Sequence, residues 1–405
     1  MVTYPDDWIE TTIGKCVQIH QGGTPRTTDA TFWNGNIVWL TPGEVTKNDG
    51  LFIDNSERKI TENGLEHSSA ELLPVGTILL CTRATIGDLA IAAIPLATNQ
   101  GFKNLVCEEG IDNIFFSYLL HTCKEEMIAK AIGTTFLEIS KKELSKIEIC
   151  IPYLKEQIAI GHALRCFDTY IDNLAELIEK KRGVRDGTLE DLICHRIRLD
   201  GFNGDWTMVT FNQVITPKAR IGWQGLKKHE YLRSGYSCLI GGTDFSHGTV
   251  SLENIWYVSK DRYDMDANIQ VSENDVLVTK DGTIGKVALV PELGKPATLN
   301  SGVFVFRTNN RLLPTFLFRV LSSRVFREFI DTLSAGSTIK HLYQKDLKHF
   351  EFEIPVDKKE QEEIANTLTA MDDEIAALEA ERNKMIQIRE GAMDDLLTGR
   401  VRLSV

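Results

Sequence analysis

The sequence predicts a mixed α and β protein: two similar domains related by pseudo-two-fold symmetry, with two long antiparallel coiled-coil helices between them. Three observations carry this. The chain repeats itself once, at an offset drifting from 198 to 204 residues. Each copy opens with Gly-, Thr- and Asn-rich sequence holding short β-type runs closed by turn residues. Each copy then ends in apolar residues spaced for a helix pair. Four segments follow in order: a head over 1–151, a helix over 152–199, a second head over 200–354 and a second helix over 355–405.

The first head sets the pattern. Residues 76–90 align without gaps on 274–288, so Thr85-Ile86-Gly87 meets Thr283-Ile284-Gly285, and Trp8 meets Trp206 at the same offset. Asn99, Gln100 and Gly101 meet Asn300, Ser301 and Gly302, and Gly133 meets Gly336. The runs Thr77 to Thr82 and Val276 to Thr279 read as strands, with helical stretches around 115–131 and 314–333. Glycines 87, 101, 133, 285, 302 and 336 read as backbone turns.

After the first head, Ile151-Pro152 and Glu156-Gln157 open a helix whose apolar residues are Ile160, Leu164, Phe167, Ile171, Leu174 and Ile178. This 4-3-4-3-4 spacing is a coiled-coil seam, narrower than the stripe of a helix lying on a core. A helix over 156–194 would run about 58 Å. Gly183 and Gly187 weaken it by about 1 kcal/mol each, so a kink or early end is expected there. After the second head, Ile354-Pro355 and Glu360-Gln361 open the matching helix, with Ile364, Leu368, Met371, Ile375 and Leu378 as its seam. Asp357 with Glu360 is a candidate capping box. Leu192 to Leu199 and Leu396 to Leu403 close the two copies in similar sequence. Two copies are too few for a solenoid, and two similar folded units fit better.

Composition bounds the function. With 42% apolar and 25% charged residues the chain reads as soluble and globular, with no span, no signal core and a cytoplasmic place. Its eight cysteines form no Cys-x-x-Cys pair and read as reduced core thiols, and the nine histidines show no ligand spacing, so no metal is expected. The net charge of −12 argues against a strong hold on phosphates. Basic against acidic counts are 12 and 20 in 1–151, 8 and 8 in 152–199, 18 and 17 in 200–354, and 7 and 12 in 355–405. A DNA reader of this composition needs a partner to supply much of the attraction. The duplicated head has a use of its own. Paired heads read paired half-sites, and heads fused in one chain are free to diverge and read two unlike half-sites.

The order head, helix, head, helix resembles the specificity subunit of type I restriction–modification enzymes. Three local signatures carry the resemblance: Gly22-Gly23-Thr24-Pro25-Arg26 followed by Trp39-Leu40, the two Thr-Ile-Gly runs, and Ile-Pro followed by Glu-Gln at each helix. It covers essentially the whole chain. The second head departs from it, with Ile215-Thr216-Pro217-Lys218 in place of Gly-Gly-Thr-Pro. The resemblance implies two target-recognition domains that read the halves of a split DNA target and helices that set the spacer and dock two methyltransferase subunits. It implies no cofactor in this chain: S-adenosylmethionine belongs to the methyltransferase, ATP and Mg to the endonuclease and translocase subunits.

Loop residues able to bond base edges or phosphates are the candidate DNA contacts. In the first head they are Thr24, Arg26, Arg83, Thr85, Asn99, Gln100, Thr134 and Thr135. In the second they are Lys218, Arg220, Lys280, Thr283, Asn300, Ser301, Ser337, Thr338 and Lys340, with Lys280 taken as the neighbour of Arg83 in the repeat. No catalytic residue is expected. An adenine methyltransferase needs a Pro-Pro pair, which is absent, and the run Gly282 to Val287 lacks the spacing and hydroxyl of a phosphate loop. Pro5-Asp6 with Glu57-Arg58-Lys59 resembles a nuclease pattern, but Ile255 and Tyr257 stand at the repeat positions of Glu57 and Lys59. An unrecognised nuclease or methyltransferase and a pure helical-hairpin scaffold are the alternatives.

Overall fold

The computed structural model describes residues 4–48, 50–83, 85–133, 137–222, 225–334 and 341–403. The chain divides into two compact units, one holding 1–177 with 378–405 and the other 178–377.

In the first unit the strand Ile9–Thr12 pairs antiparallel with Glu148–Ile151, Ile9 opposite Ile151, so the head is closed where the long helix begins. The main sheet has five strands in the order Val17–Gln21, Phe102–Cys107, Ile78–Cys81, Leu89–Ala92, Phe52–Ile53. Ile78–Cys81 is buried throughout, which is why it reads as a continuous apolar run and not an alternating one. A smaller sheet orders Lys59–Ile60, Trp33–Leu40 and Ala97–Thr98. The helix Asn113–Thr122, capped by the Asp112 carboxylate on the Phe115 amide, packs Phe115, Phe116, Leu119 and Leu120 into the core.

The second unit repeats this plan. Trp206–Thr210 pairs with Glu351–Pro355. A six-stranded sheet runs Ile215–Ala219, Val303–Thr308, Val276–Thr279, Val287–Leu289, Thr249–Val250, Phe245–Ser246. A four-stranded sheet orders Trp256–Val258, Ser237–Ile240, Ala297–Leu299 and Gln270–Val271. Pro314–Ser322 is the counterpart of the helix Asn113–Thr122.

The long helices are Leu154–Ile193 and Lys358–Leu397, forty residues each and about 60 Å long by helical rise. The early end expected at Gly183 and Gly187 does not occur: the first helix runs through both. A β-carbon at either position would meet nothing within 4 Å, so neither glycine is required by packing. The seam is only partly a helix-to-helix one. Ile160 and Leu164 lie in the first head's core together with Leu396 and Leu397. Ile364 and Leu368 lie in the second head's core together with Leu189, Leu192 and Ile193. A 3–4 apolar spacing buries a helix equally well against a partner helix or a head core, so periodicity could not separate them.

The proposed capping box is half present. Asp357 accepts from the Lys359 amide at 2.9 Å, but Glu360 turns away to Arg198. All eight cysteines are free thiols, and burial pushes those of Cys81 and Cys107 up to about 12. Among the described residues no helix is long and apolar enough to cross a membrane, and no group of three or more His, Cys, Asp or Glu is gathered as a metal would need.

Candidate nucleic-acid interface

The loop Gly22 to Arg26 of the first head is built by tryptophans. The Trp39 indole N–H donates to the Gly23 carbonyl at 2.8 Å and the Trp33 indole N–H to the Arg26 carbonyl at 3.2 Å. The rings meet edge to face at 5.1 Å, and the Arg58 guanidinium lies 3.6 Å over Trp33. Buried indoles need acceptors, and here the acceptors are the loop's own carbonyls. A β-carbon on Gly22 would stand 1.9 Å from the Asn99 carbonyl, so this close approach admits only glycine. The signature Gly-Gly-Thr-Pro-Arg with Trp-Leu is therefore a loop and its support.

Around this loop the expected residues gather. Thr24 donates to the Gln100 side chain at 2.5 Å, and Asn99 accepts from the Gly101 amide at 2.8 Å. The Thr82 amide donates to the Gly101 carbonyl at 2.9 Å, and the Ile139 amide donates to the Thr82 carbonyl, which sets Arg83 opposite Glu138 in a bridge. Thr85 receives the Thr46 hydroxyl at 3.3 Å. Gly87, with φ at 91°, ends the hairpin tip in the left-handed region. Arg26 is exposed. The structure thus brings Thr24, Arg83, Asn99 and Gln100 onto adjoining loops, while Thr134 and Thr135 lie outside the described residues.

The second head repeats the backbone with other side chains. The Lys280 amide donates to the Gly302 carbonyl at 2.9 Å, the Leu342 amide donates to the Lys280 carbonyl at 2.8 Å, and the Asn300 amide donates to the Ile240 carbonyl at 2.8 Å. Asp281 bridges His341. Asp281 therefore occupies the place of Arg83, as the gapless offset of 198 has it, and Lys280 stands beside it, as expected. Thr283 and Ser301 are exposed, and Asn300 accepts from the Ser301 amide and the Tyr231 hydroxyl. The run Gly282 to Val287 links two strands and leads into no helix, which is not the setting of a phosphate loop.

Arg220, a candidate DNA contact, is buried. It is 3% exposed, and its guanidinium donates to the Leu299 carbonyl at 2.9 Å and to Thr298. Burial and the neighbouring Arg262 hold its pKa below the usual guanidinium value. It thereby holds the carbonyl of Leu299, the residue before Asn300. Lys218 sits half-buried in a strand opposite Val305. Ser337, Thr338 and Lys340 lie outside the described residues.

The Ile-Pro and Glu-Gln signature forms the joint between head and helix in each unit. Gln157 accepts from the Asp112 amide and donates to the Pro152 carbonyl; Gln361 accepts from the Leu313 amide and donates to the Pro355 and Arg311 carbonyls. Glu156 takes Arg402 at 2.6 and 2.8 Å, and Glu360 takes Arg198 at 2.8 and 2.7 Å. Arg402 also grips Asp7 and holds that carboxyl below the usual range. A second node lies further along. Asp168 accepts from Tyr118 and from Arg389 at 2.7 Å, while Asp372 takes Arg319 at 2.5 Å and Arg185 at 3.3 Å. Sequence reasoning saw the repeated Glu-Gln and Arg-x-Arg-Leu but not that they meet, because the partners are 246 and 162 residues apart.

The family model for the type I restriction modification DNA specificity domain matches residues 5–180 and again 204–387. The MjaIX type I restriction enzyme specificity subunit of Methanocaldococcus jannaschii is 37% identical over 181 residues, 44% of this chain and 42% of that protein. A type I restriction enzyme specificity subunit of Escherichia coli is 30% identical over 189 residues, 44% and 45% of the two chains. The matched regions thus span under half the length of these two relatives. The crystal structure of a type I restriction–modification S subunit from M. genitalium aligns over 96% of both chains, with TM-score 0.61 at 17% identity, which supports the fold.

Proposed function

We propose that this chain, which belongs to the type I restriction modification DNA specificity family, is the target reader of a restriction–modification complex. The heads over 1–151 and 200–354 each read one half of a split target. The segments 152–199 and 355–405 pair as antiparallel helices related by a pseudo-dyad, set the spacer and dock two methyltransferase subunits. The chain carries no catalytic site in this reading and works in the cytoplasm. The methyltransferase subunits bring S-adenosylmethionine, and endonuclease and translocase subunits use ATP and Mg.

One observation carries the proposal: the same backbone cluster occurs in both heads but bears different side chains at matching places, Arg83 and Gln100 in one and Asp281 and Ser301 in the other. A repeated scaffold with diverged loop chemistry is what reading two unlike half-sites requires. The contacts of Asp168 with Arg389 and of Lys181 with Glu374, each within one unit, support antiparallel helix pairing. The test is to replace residues 1–151 by the corresponding head of a relative and map modified adenines in the host genome. One half of the modified sequence should change and the other should stay. A change in both halves, or modification that persists unaltered, would overturn the two-reader model. Turnover by the purified chain alone, with metal or methyl donor, would point to an enzyme.

A further inference from the structure

The main-chain bridge that joins the hairpin tip to the following loop carries an acid on opposite sides in the two heads. In the first head it pairs Arg83 with Glu138, and in the second Asp281 with His341. A third position changes with them. Lys103, 3% exposed, donates to Glu138 at 3.1 Å, and its repeat counterpart on the equivalent strand is Phe304. A buried lysine holds the acid of the first head in place. Phenylalanine at that position offers no such anchor to an acid at position 341. It carries His341 instead, whose Nδ1 stands 2.6 Å from the Asp281 carboxylate. Three linked substitutions have thus moved the acid from the inner loop to the hairpin tip. The Asp281 side chain is 37% exposed and lies beside Gly302, next to Asn300 and Ser301.

We propose that Asp281, positioned by His341, is the specificity-determining residue through which the second head selects cytosine at one base pair of its half-site. An ionised carboxylate only accepts hydrogen bonds. In the major groove it suits the cytosine N4 amino group and is repelled by the N7 and O6 acceptors of guanine; adenine offers an amino group but sets N7 beside it. Near phosphates a carboxylate is repelled, and the ammonium of its neighbour Lys280 offsets this. The first head presents a guanidinium, Arg83, at the equivalent place, a group suited to guanine. The exchange would therefore give the two half-sites different bases at equivalent positions.

This proposal rests on reading the chain as a sequence-specific DNA binder, and the experiment separates the two. The complex is isolated from its host through a tag on the full chain and used to select from a pool of randomised duplexes. The wild-type complex should enrich a bipartite motif with cytosine at one position of one half. Asp281→Ala should lose that preference, about 5- to 150-fold at that position, and leave the other half intact. Asp281→Asn, nearly isosteric, should turn the preference toward adenine, which an amide reads through N6 and N7. His341→Ala should weaken the cytosine preference without replacing it. If the wild type enriches no motif, the reading of the chain as a target reader fails. If it enriches a motif that Asp281→Asn leaves unchanged, or if Asp281→Ala weakens all sequences equally, the assignment of Asp281 is overturned while the reader stands.

Discussion

Gln361→Ala should open the joint between the second head and its helix. The side chain is fully buried and makes three hydrogen bonds, all to backbone: it accepts from the Leu313 amide at 2.9 Å and donates to the Arg311 carbonyl at 2.9 Å and the Pro355 carbonyl at 2.8 Å. Each neutral bond contributes on the order of 1 kcal/mol net, and truncation strands the partners in a site from which water is excluded. The expected loss is about 3 kcal/mol, equivalent to roughly a hundredfold in an equilibrium constant. Gln361→Glu keeps the volume and the acceptor but loses both donated bonds and faces two carbonyls with a carboxylate, so it should cost at least as much as alanine. The assay is amide hydrogen exchange on the full chain, resolved at Leu313. That amide should lose protection in both variants, while Asp112, held by Gln157 in the first unit at 3.0 Å, keeps its own. An unchanged Leu313, or a harmless Gln361→Glu, would show that the glutamine is not the strap.

Other expectations follow from the same structure. Gly183→Ala with Gly187→Ala should raise the thermal midpoint, since both sites are open and each change favours the helix by about 1 kcal/mol; a fall in the midpoint would mean that the helix needs a bend there. The Glu230 carboxyl is held at about 2 by Arg262 and by the Lys227 amide, so its contribution is full above the ordinary 4.5 and fades as pH falls toward 2. Glu230→Gln should therefore show a shallower loss of stability over that window in acid denaturation, and parallel curves would refute the linkage. A four-residue insertion near Leu177, about 6 Å of helix, should lengthen the spacer of the modified sequence by one or two base pairs at about 3.4 Å each. An unchanged spacer with full activity would show that the helices are not the ruler.

What the sequence determined by itself was whatever is local or periodic. The repeat at 198 to 204, the strands Ile78–Cys81 and Val276–Thr279, the presence of two long helices and the turn glycines Gly87 and Gly285 all rest on neighbours within a few residues or on one chain compared with itself. Tertiary structure decided which side of each feature faces what. Arg220 reads as a candidate DNA contact, yet folding buries it against Leu299, because a guanidinium can satisfy backbone carbonyls as readily as a base edge. Ile160 and Ile364 obey one spacing whether the surface beneath is a helix or a head, and only the assembled cores show that both lie on the heads. The pairing of Glu156 with Arg402 joins residues 246 apart, and the exchange of acid and base between Arg83 with Glu138 and Asp281 with His341 appears only once the loops are brought together. A long-range contact leaves no periodic trace, since what brings its partners together is the packing of everything between them.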